Sequence, residues 1–117
     1  MDIEQYREYC LAKLGVTEGT PFGENILVFK VMNKMFALTD IDLFISINLK
    51  CDPDRAIKLR EEYADIIPGY HMNKVHWNTV TVNGDVSDTL LIELIDHSYD
   101  LVVESLPKKI KEEFTNL

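Results

Sequence analysis

The densest run of chemically capable side chains is Tyr70-His71-Met72-Asn73-Lys74-Val75-His76-Trp77-Asn78. It gathers aromatic rings, two imidazoles, an ammonium and two amides in one short stretch. Such a mixture can stack on nucleobases and contact phosphates. It can equally form a polar hydrogen-bond network that anchors a turn. A metal centre is not expected. His71 and His76 lie five apart, His97 is the remaining imidazole, and the segment holds no cysteine or carboxylate, so no zinc-type ligand spacing is met. Cys51 directly precedes the helix start Asp52-Pro53-Asp54, a position that can lower a thiol pKa; the alternative is a free thiol at a strand end. The chain has no GxGxxG, P-loop or GxSxG, so the usual phosphate-cradling and nucleophile-elbow signatures are missing. No catalytic set, cofactor or metal is expected from these residues.

The elements that must position this segment follow from periodicity. Residues 2–14 are expected as a helix with Ile3, Tyr6, Cys10, Leu11 and Leu14 on one face, ended by Gly15 in a left-handed cap. Residues 16–25 carry Gly19, Pro21, Gly23 and Asn25 and are expected as a loop. From Ile26 the sequence ILVFKVM turns β-branched and aromatic, and Asn33-Lys34 is expected to make a tight turn into a strand over Met35–Thr39. After a turn at Asp40–Asp42, Leu43–Lys50 alternates: Leu43, Ile45, Ile47 and Leu49 are expected inward, and Phe44, Ser46, Asn48 and Lys50 outward. Asp52-Pro53-Asp54 opens a second helix with Ala56, Leu59 and Tyr63 on its inner face, ending before Pro68-Gly69. Residues 70–82 read as a turn and a strand, closed by Asn83-Gly84.

Ser87 caps a third helix through Ser105, with Leu91, Leu94, Ile95, Ser98, Leu101 and Val102 as its buried stripe. Tyr99 lies off that stripe, so its hydroxyl is free to reach back. Pro107 opens a short last helix carrying Ile110 and Phe114. Strands clustered between helices favour an α+β fold with an antiparallel sheet.

The 117 residues fit one domain over 1–117, with a third to a half of the chain apolar (46%) and 27% charged. No apolar run approaches the ~20 residues of a membrane helix, and the start MDIEQYREYC resembles neither a signal nor a transit peptide, so a cytoplasmic location without membrane contact is expected. Cys10 and Cys51 are expected as free thiols, Cys10 as a small buried hydrophobe. The net charge of −8 argues against non-specific coating of nucleic acid. The charge is segregated, however. Residues 85–104 carry six acids and no Lys or Arg, whereas 25–39, 43–51 and 66–84 carry Lys30, Lys34, Lys50 and Lys74 and no acid. Either these lysines share a positive sheet face, or they protect strand edges from aggregation.

Several segments together resemble the MmcQ/YjbR family: Lys34-Met35-Phe36-Ala37, Asn48-Leu49-Lys50-Cys51-Asp52-Pro53, Leu59-Arg60, Pro68-Gly69-Tyr70-His71-Met72-Asn73-Lys74, His76-Trp77-Asn78 and Ser98-Tyr99-Asp100-Leu101-Val102. The resemblance runs from about Gly23 to Pro107, and the order and spacing of the segments are more specific than any one of them. It implies a compact α+β domain whose antiparallel sheet has hairpin wings and packs against N-terminal and C-terminal helices, akin to the "double wing" of a phage transcription factor. Members are often labelled DNA-binding on that structural analogy, and no catalytic residue set accompanies the fold.

Three function classes follow, with an enzyme the least favoured and two kinds of binding domain ahead of it. In a DNA-binding or transcription-associated module, Lys34, Lys50 and Lys74 meet phosphates from one exposed, acid-poor face, while Tyr70, His71, Asn73, His76 and Trp77 supply polar or stacking contacts. In a domain that binds a small molecule or a protein partner, Tyr70–Asn78 instead lines a pocket between sheet and helix. A cleft enclosing the histidines favours the second class, and an open lysine-lined face the first.

Overall fold

A computed structural model describes residues 1–117. Six strands, β1 (Val16–Gly19), β2 (Ile26–Val31), β3 (Lys34–Asp40), β4 (Ser46–Lys50), β5 (Ile66–Pro68) and β6 (Trp77–Thr81), form one antiparallel sheet in the order β1-β2-β3-β4-β6-β5. Helices α1 (Ile3–Leu11), α2 (Pro53–Glu62), α3 (Asp88–Glu104) and α4 (Lys108–Thr115) complete the α+β fold. No helix is long and apolar enough to cross a membrane.

Strand alternation decides which side the helices cover. Leu27, Phe29 and Val31 of β2, Ile47 and Leu49 of β4, and Val80 of β6 are buried with Tyr6 and Cys10 of α1, Ala56 and Leu59 of α2, and Leu91, Leu94, Ile95 and Val102 of α3. α3 lies against β2, β3 and β4, α1 against β1, and α2 against β5. The Tyr6 ring meets Phe29 edge-on with centroids 5.4 Å apart, and Phe36 meets Tyr99 in the same way at 5.4 Å. A smaller apolar cluster, Val28, Leu38 and Trp77 with Ile26, Met35 and Met72 around it, occupies the opposite side. That side has no helix.

Capping follows the sequence. Asp2 and Gln5 form a capping box on α1, Asp52 accepts from the Arg55 amide on α2, and Ser87 accepts from the Leu90 amide on α3. Ser98 does more than permit close packing. Its hydroxyl donates to the Phe36 carbonyl (2.6 Å) and accepts from the Lys50 amide (2.9 Å). It sits where the β3–β4 ladder stops at the pair Ala37–Leu49, and joins the two strands beyond it. The Tyr99 hydroxyl reaches back to the Leu14 carbonyl at 2.5 Å.

Several local expectations are corrected. α1 ends at Leu11 rather than 14, and Gly15, at φ +76°, turns the chain into a strand where a loop was expected. That strand, β1, is short and mostly exposed, and pairing with β2 creates it rather than any alternation of its own. α2 stops at Glu62, Tyr63 is already extended, and Ile66–Pro68 forms the other edge strand. The β2–β3 turn is Met32-Asn33, both at positive φ, so Lys34 opens the strand instead of closing the turn. The strand expected over Leu43–Lys50 begins only at Ser46. Asp40 Oδ1 accepts the amides of Asp42 and Leu43, the Phe44 amide bonds to the Asp40 carbonyl, and Phe44 takes φ +41°. This turn breaks the alternation: Phe44 packs on Tyr6, while Leu43 and Ile45 are 65% and 59% exposed.

Candidate binding groove on the open sheet face

Residues that pair across an antiparallel sheet share a side, so the register lays out the open face row by row. One row runs Val28, Leu38, Asn48, Thr79 and Ile67 through β2, β3, β4, β6 and β5. Toward one end, Ile26 pairs with Asp40, and Ser46 with Thr81. Toward the other, Lys30 pairs with Met35, and Lys50 with Trp77. The face is therefore polarised. Its carboxylate lies at the Ile26 end and two of its lysines lie at the other, roughly 14 Å away at 3.4 Å per residue along β2.

Two loops rise over this floor. Phe22 comes from the segment between β1 and β2, and Tyr70, His71 and Met72 come from the segment between β5 and β6. With Ile26, Met35, Leu38, Thr39, Asp40, Ser46, Asn48 and Thr79 they enclose a groove of about 480 Å³, within the usual range for small-ligand sites. Phe22 and Tyr70 are each 65% exposed. The Tyr70 and His71 rings lie 4.0 Å apart, centroid to centroid. Asp40 is the one carboxylate of the lining, and the lining contains no lysine or arginine.

The Tyr70 wall is held by a closed polar circuit. The Tyr70 amide donates to Thr79 Oγ1 (2.9 Å), the Thr79 hydroxyl donates to Asn48 Oδ1 (2.5 Å), and the Asn48 amide group donates to the Tyr70 carbonyl (3.4 Å). Just before it, the Gly69 amide donates to the Trp77 carbonyl, and the Gly69 carbonyl accepts from Lys74 Nζ at 2.9 Å. A Cβ at Gly69 would lie 2.8 Å from Trp77 Cβ and 3.0 Å from the Trp77 carbonyl oxygen, so only glycine fits that approach. Arg60 of α2 grips the return of the loop: Nε donates to Asn78 Oδ1 (2.6 Å), and Nη2 donates to the carbonyls of Lys74 (2.5 Å) and Trp77 (3.3 Å). Asn73 Oδ1 accepts from the amides of Val75 and His76. His71 sits at φ +58°, a conformation held by this surrounding structure.

The sequence candidates thus divide. Tyr70 and His71 line the groove. Asn73, Lys74 and Trp77 build the loop instead: Trp77 is 9% exposed beneath it and offers no face for stacking. His76 is exposed beyond the groove lining. Lys50 is half-buried on the open face. Lys34 pairs with Val31, whose side chain is in the main core, so it projects from the helix-bearing side at the hairpin end. Lys34, Lys50 and Lys74 therefore do not form one row. The pocket also lies between the sheet and a loop, not between sheet and helix.

Sequence reasoning missed Phe22, Ile26, Met35, Leu38, Asp40, Ser46, Asn48 and Thr79. The outward half of each alternating strand was the available signal, and Ser46 and Asn48 were legible by it. Both thiols are buried and free. Burial pushes Cys10 up to about 12 and Cys51 up to about 11, the nearby Arg55 lowering the latter only in part. The helix start after Cys51 does not produce a thiolate. No three His, Cys, Asp or Glu side chains converge in a metal-holding group.

A family model described as YjbR matches residues 11–101. The chain is 32% identical over 110 residues to the uncharacterized protein YjbR of Escherichia coli K12, covering 93% of each. It is 42% identical over 90 residues to the uncharacterized protein YbdF of Escherichia coli O157:H7, covering 76% of this chain and 74% of that one. The crystal structure of Deinococcus radiodurans protein DR2400, with a DUF419 domain, superposes with a TM-score of 0.91 at 39% identity, over 97% of this chain and 87% of that one. A Pseudomonas syringae crystal structure gives 0.74 at 31% identity, over 86% and 98%.

Proposed function

The chain belongs to the YjbR family, and on that premise we propose that it is a non-catalytic binding domain that captures a small molecule in the groove on its open sheet face. The observation that carries this reading is a 480 Å³ concavity with apolar side chains, a few neutral polar groups, one carboxylate and two exposed aromatic rings. Such a composition suits a ligand that buries a hydrophobic body and is oriented by a few hydrogen bonds. The polar circuit beneath Tyr70 supports it further, because a wall fixed before binding loses little freedom when the ligand arrives. The test is a soluble-fragment screen read by two-dimensional NMR. Amide shifts clustered on Leu38, Asn48, His71 and Thr79 are expected, and Leu38→Trp, which fills the floor, is expected to abolish them. Fragments that shift only residues elsewhere would refute the groove as the site.

A second reading is favoured by Lys30 and Lys50, which share the open face at the end away from Asp40. On it the protein is a DNA-binding, transcription-associated module, as the label attached to the family suggests. Phosphates would meet these lysines, and Tyr70 and His71 would contact bases. Titration against duplex DNA at several salt concentrations tests it. Each phosphate contact contributes a log–log salt slope of about −0.9, so two to four lysines give roughly −2 to −4. Lys30→Ala with Lys50→Ala is expected to flatten that slope. Absence of binding at low salt, where attraction is strongest, removes this reading.

A further inference from the structure

The electrostatics of the groove narrow its ligand, an inference that rests on the groove being the binding site. Its floor and walls contribute apolar contact through Ile26, Met35, Leu38 and Met72, and its one fully charged lining group is Asp40. Asp40 Oδ1 is committed to the amides of Asp42 and Leu43. Oδ2 has no hydrogen-bond or ion-pair partner in the chain, although the residue is only half-buried at the end of β3. A carboxylate oxygen beside an apolar cavity attracts a cation and repels an anion, more strongly than in open water because the walls exclude solvent. At the mouth, Phe22, Tyr70 and His71 line the same space, with Phe22 and Tyr70 largely exposed, and aromatic rings also favour cations. The lysines of this face stand at its other end and leave the Asp40 end uncompensated.

We infer that the groove binds an amphipathic organic cation: an aromatic or branched aliphatic amine whose ammonium group meets Asp40 Oδ2 and whose apolar body lies on Leu38 and Met72. Ser46 and Thr79 flank the body with neutral polar atoms. No bond is made or broken, so the step is binding alone. The prediction separates this ligand class from nucleotides and other anions, which the Lys30–Lys50 end would prefer.

The experiment titrates the full chain with three isosteric probes at about pH 8, where an ordinary alkylamine is protonated: 2-phenylethylamine, 2-phenylethanol and 3-phenylpropionate. Amide shifts of Asn48, His71 and Thr79 are followed, with dissociation constants on the order of millimolar expected for probes this small. The amine is expected to bind about tenfold or more tighter than the alcohol, and the acid weakest of all. Asp40→Asn keeps an Oδ1 acceptor for the two turn amides and is expected to bring amine and alcohol within about twofold of each other, since the unit charge is gone. Should that variant not fold, Ser46→Lys places a positive charge at the same end and is expected to remove the amine preference as well. If the alcohol or the acid binds in the groove as tightly as the amine, or the preference survives these variants, the cation assignment is overturned while the groove reading stands. If none of the three shifts the groove amides, both fall.

Discussion

Replacing Ser98 by alanine removes one oxygen atom, and the structure assigns it a large effect. The side chain is fully buried. Its hydroxyl is both donor to the Phe36 carbonyl and acceptor for the Lys50 amide, across the point where the β3–β4 ladder ends. Alanine leaves a carbonyl and an amide of the central strands without partners, in a space too small to admit solvent easily. An unsatisfied buried polar group costs about 1–3 kcal/mol, so the pair gives about 2–6 kcal/mol, with the lower half favoured if the strands close slightly. At about 2.1 cal/mol/K per residue, a domain of this size loses roughly 4 °C in Tm per kcal/mol, so a drop of about 8–24 °C is expected. Urea denaturation should give the same loss with an unchanged slope. Tyr99→Phe, which removes only the single bond to Leu14 at the core's edge, is the internal control and should lose about 1 kcal/mol. If Ser98→Ala loses no more than the control, the bridge is not holding β3 to β4 and the reasoning fails.

Tyr6→Phe is expected to act in the opposite direction: the Tyr6 hydroxyl is buried with no partner, so its removal should stabilise the domain by about 1 kcal/mol, readable as a higher urea midpoint. Gly69→Ala drives a Cβ to 2.8 Å from Trp77 Cβ and 3.0 Å from the Trp77 carbonyl oxygen, and a loss of about 1–3 kcal/mol is expected with faster hydrogen exchange in 69–76. His97 is lowered from the ordinary histidine range, first by burial and then by Arg55, and its Nε2 accepts the Asp52 amide, which only the neutral ring can do. The unfolded chain therefore takes up the proton first, so this contribution is whole above the ordinary histidine pKa of about 6.5 and fades as pH falls below it. Tm measured from pH 8 down to 5 should fall more steeply in wild type than in His97→Gln, and parallel curves would remove His97 from the account.

How far the sequence carries depends on whether an element is specified locally. Ser87 and Asp52-Pro53 announce α3 and α2 through their own side chains, and the structure uses Ser87 and Asp52 as caps; Asp2, expected inside α1, caps it instead. β2 and the core half of β4 were legible from alternation. β1 and β5 were not, because an edge strand of four or three residues has too few alternations to register and owes its form to a neighbour. Leu43-Phe44-Ile45 misled for a related reason. The alternation is real in the letters, but Asp40 captures two amides downstream and Phe44 goes left-handed, which reverses the phase. The groove was half legible: Tyr70 and His71 stood out by type, whereas the floor is assembled from residues of four strands whose register no local pattern gives.

Several polar residues of the segments that carry the family resemblance perform one task together. Asn48, Arg60, Gly69, Asn73, Lys74 and Asn78 are scattered over three elements and one loop, yet each hydrogen-bonds within the 69–78 loop or to it. Their polar atoms are spent on backbone partners and on each other, so little is left to contact a ligand. What faces the groove without such commitment is a different set: Phe22, Ile26, Met35, and the free oxygen of Asp40. Precise positioning of a binding wall needs a fixed supporting shell, while selectivity depends on the few groups that touch the occupant. A frame built from one set and a lining drawn from another allows the lining to vary without disturbing the loop. Exchanging Phe22 should therefore change what binds and leave stability nearly intact, whereas Arg60→Ala should loosen the 69–78 loop and weaken every ligand alike.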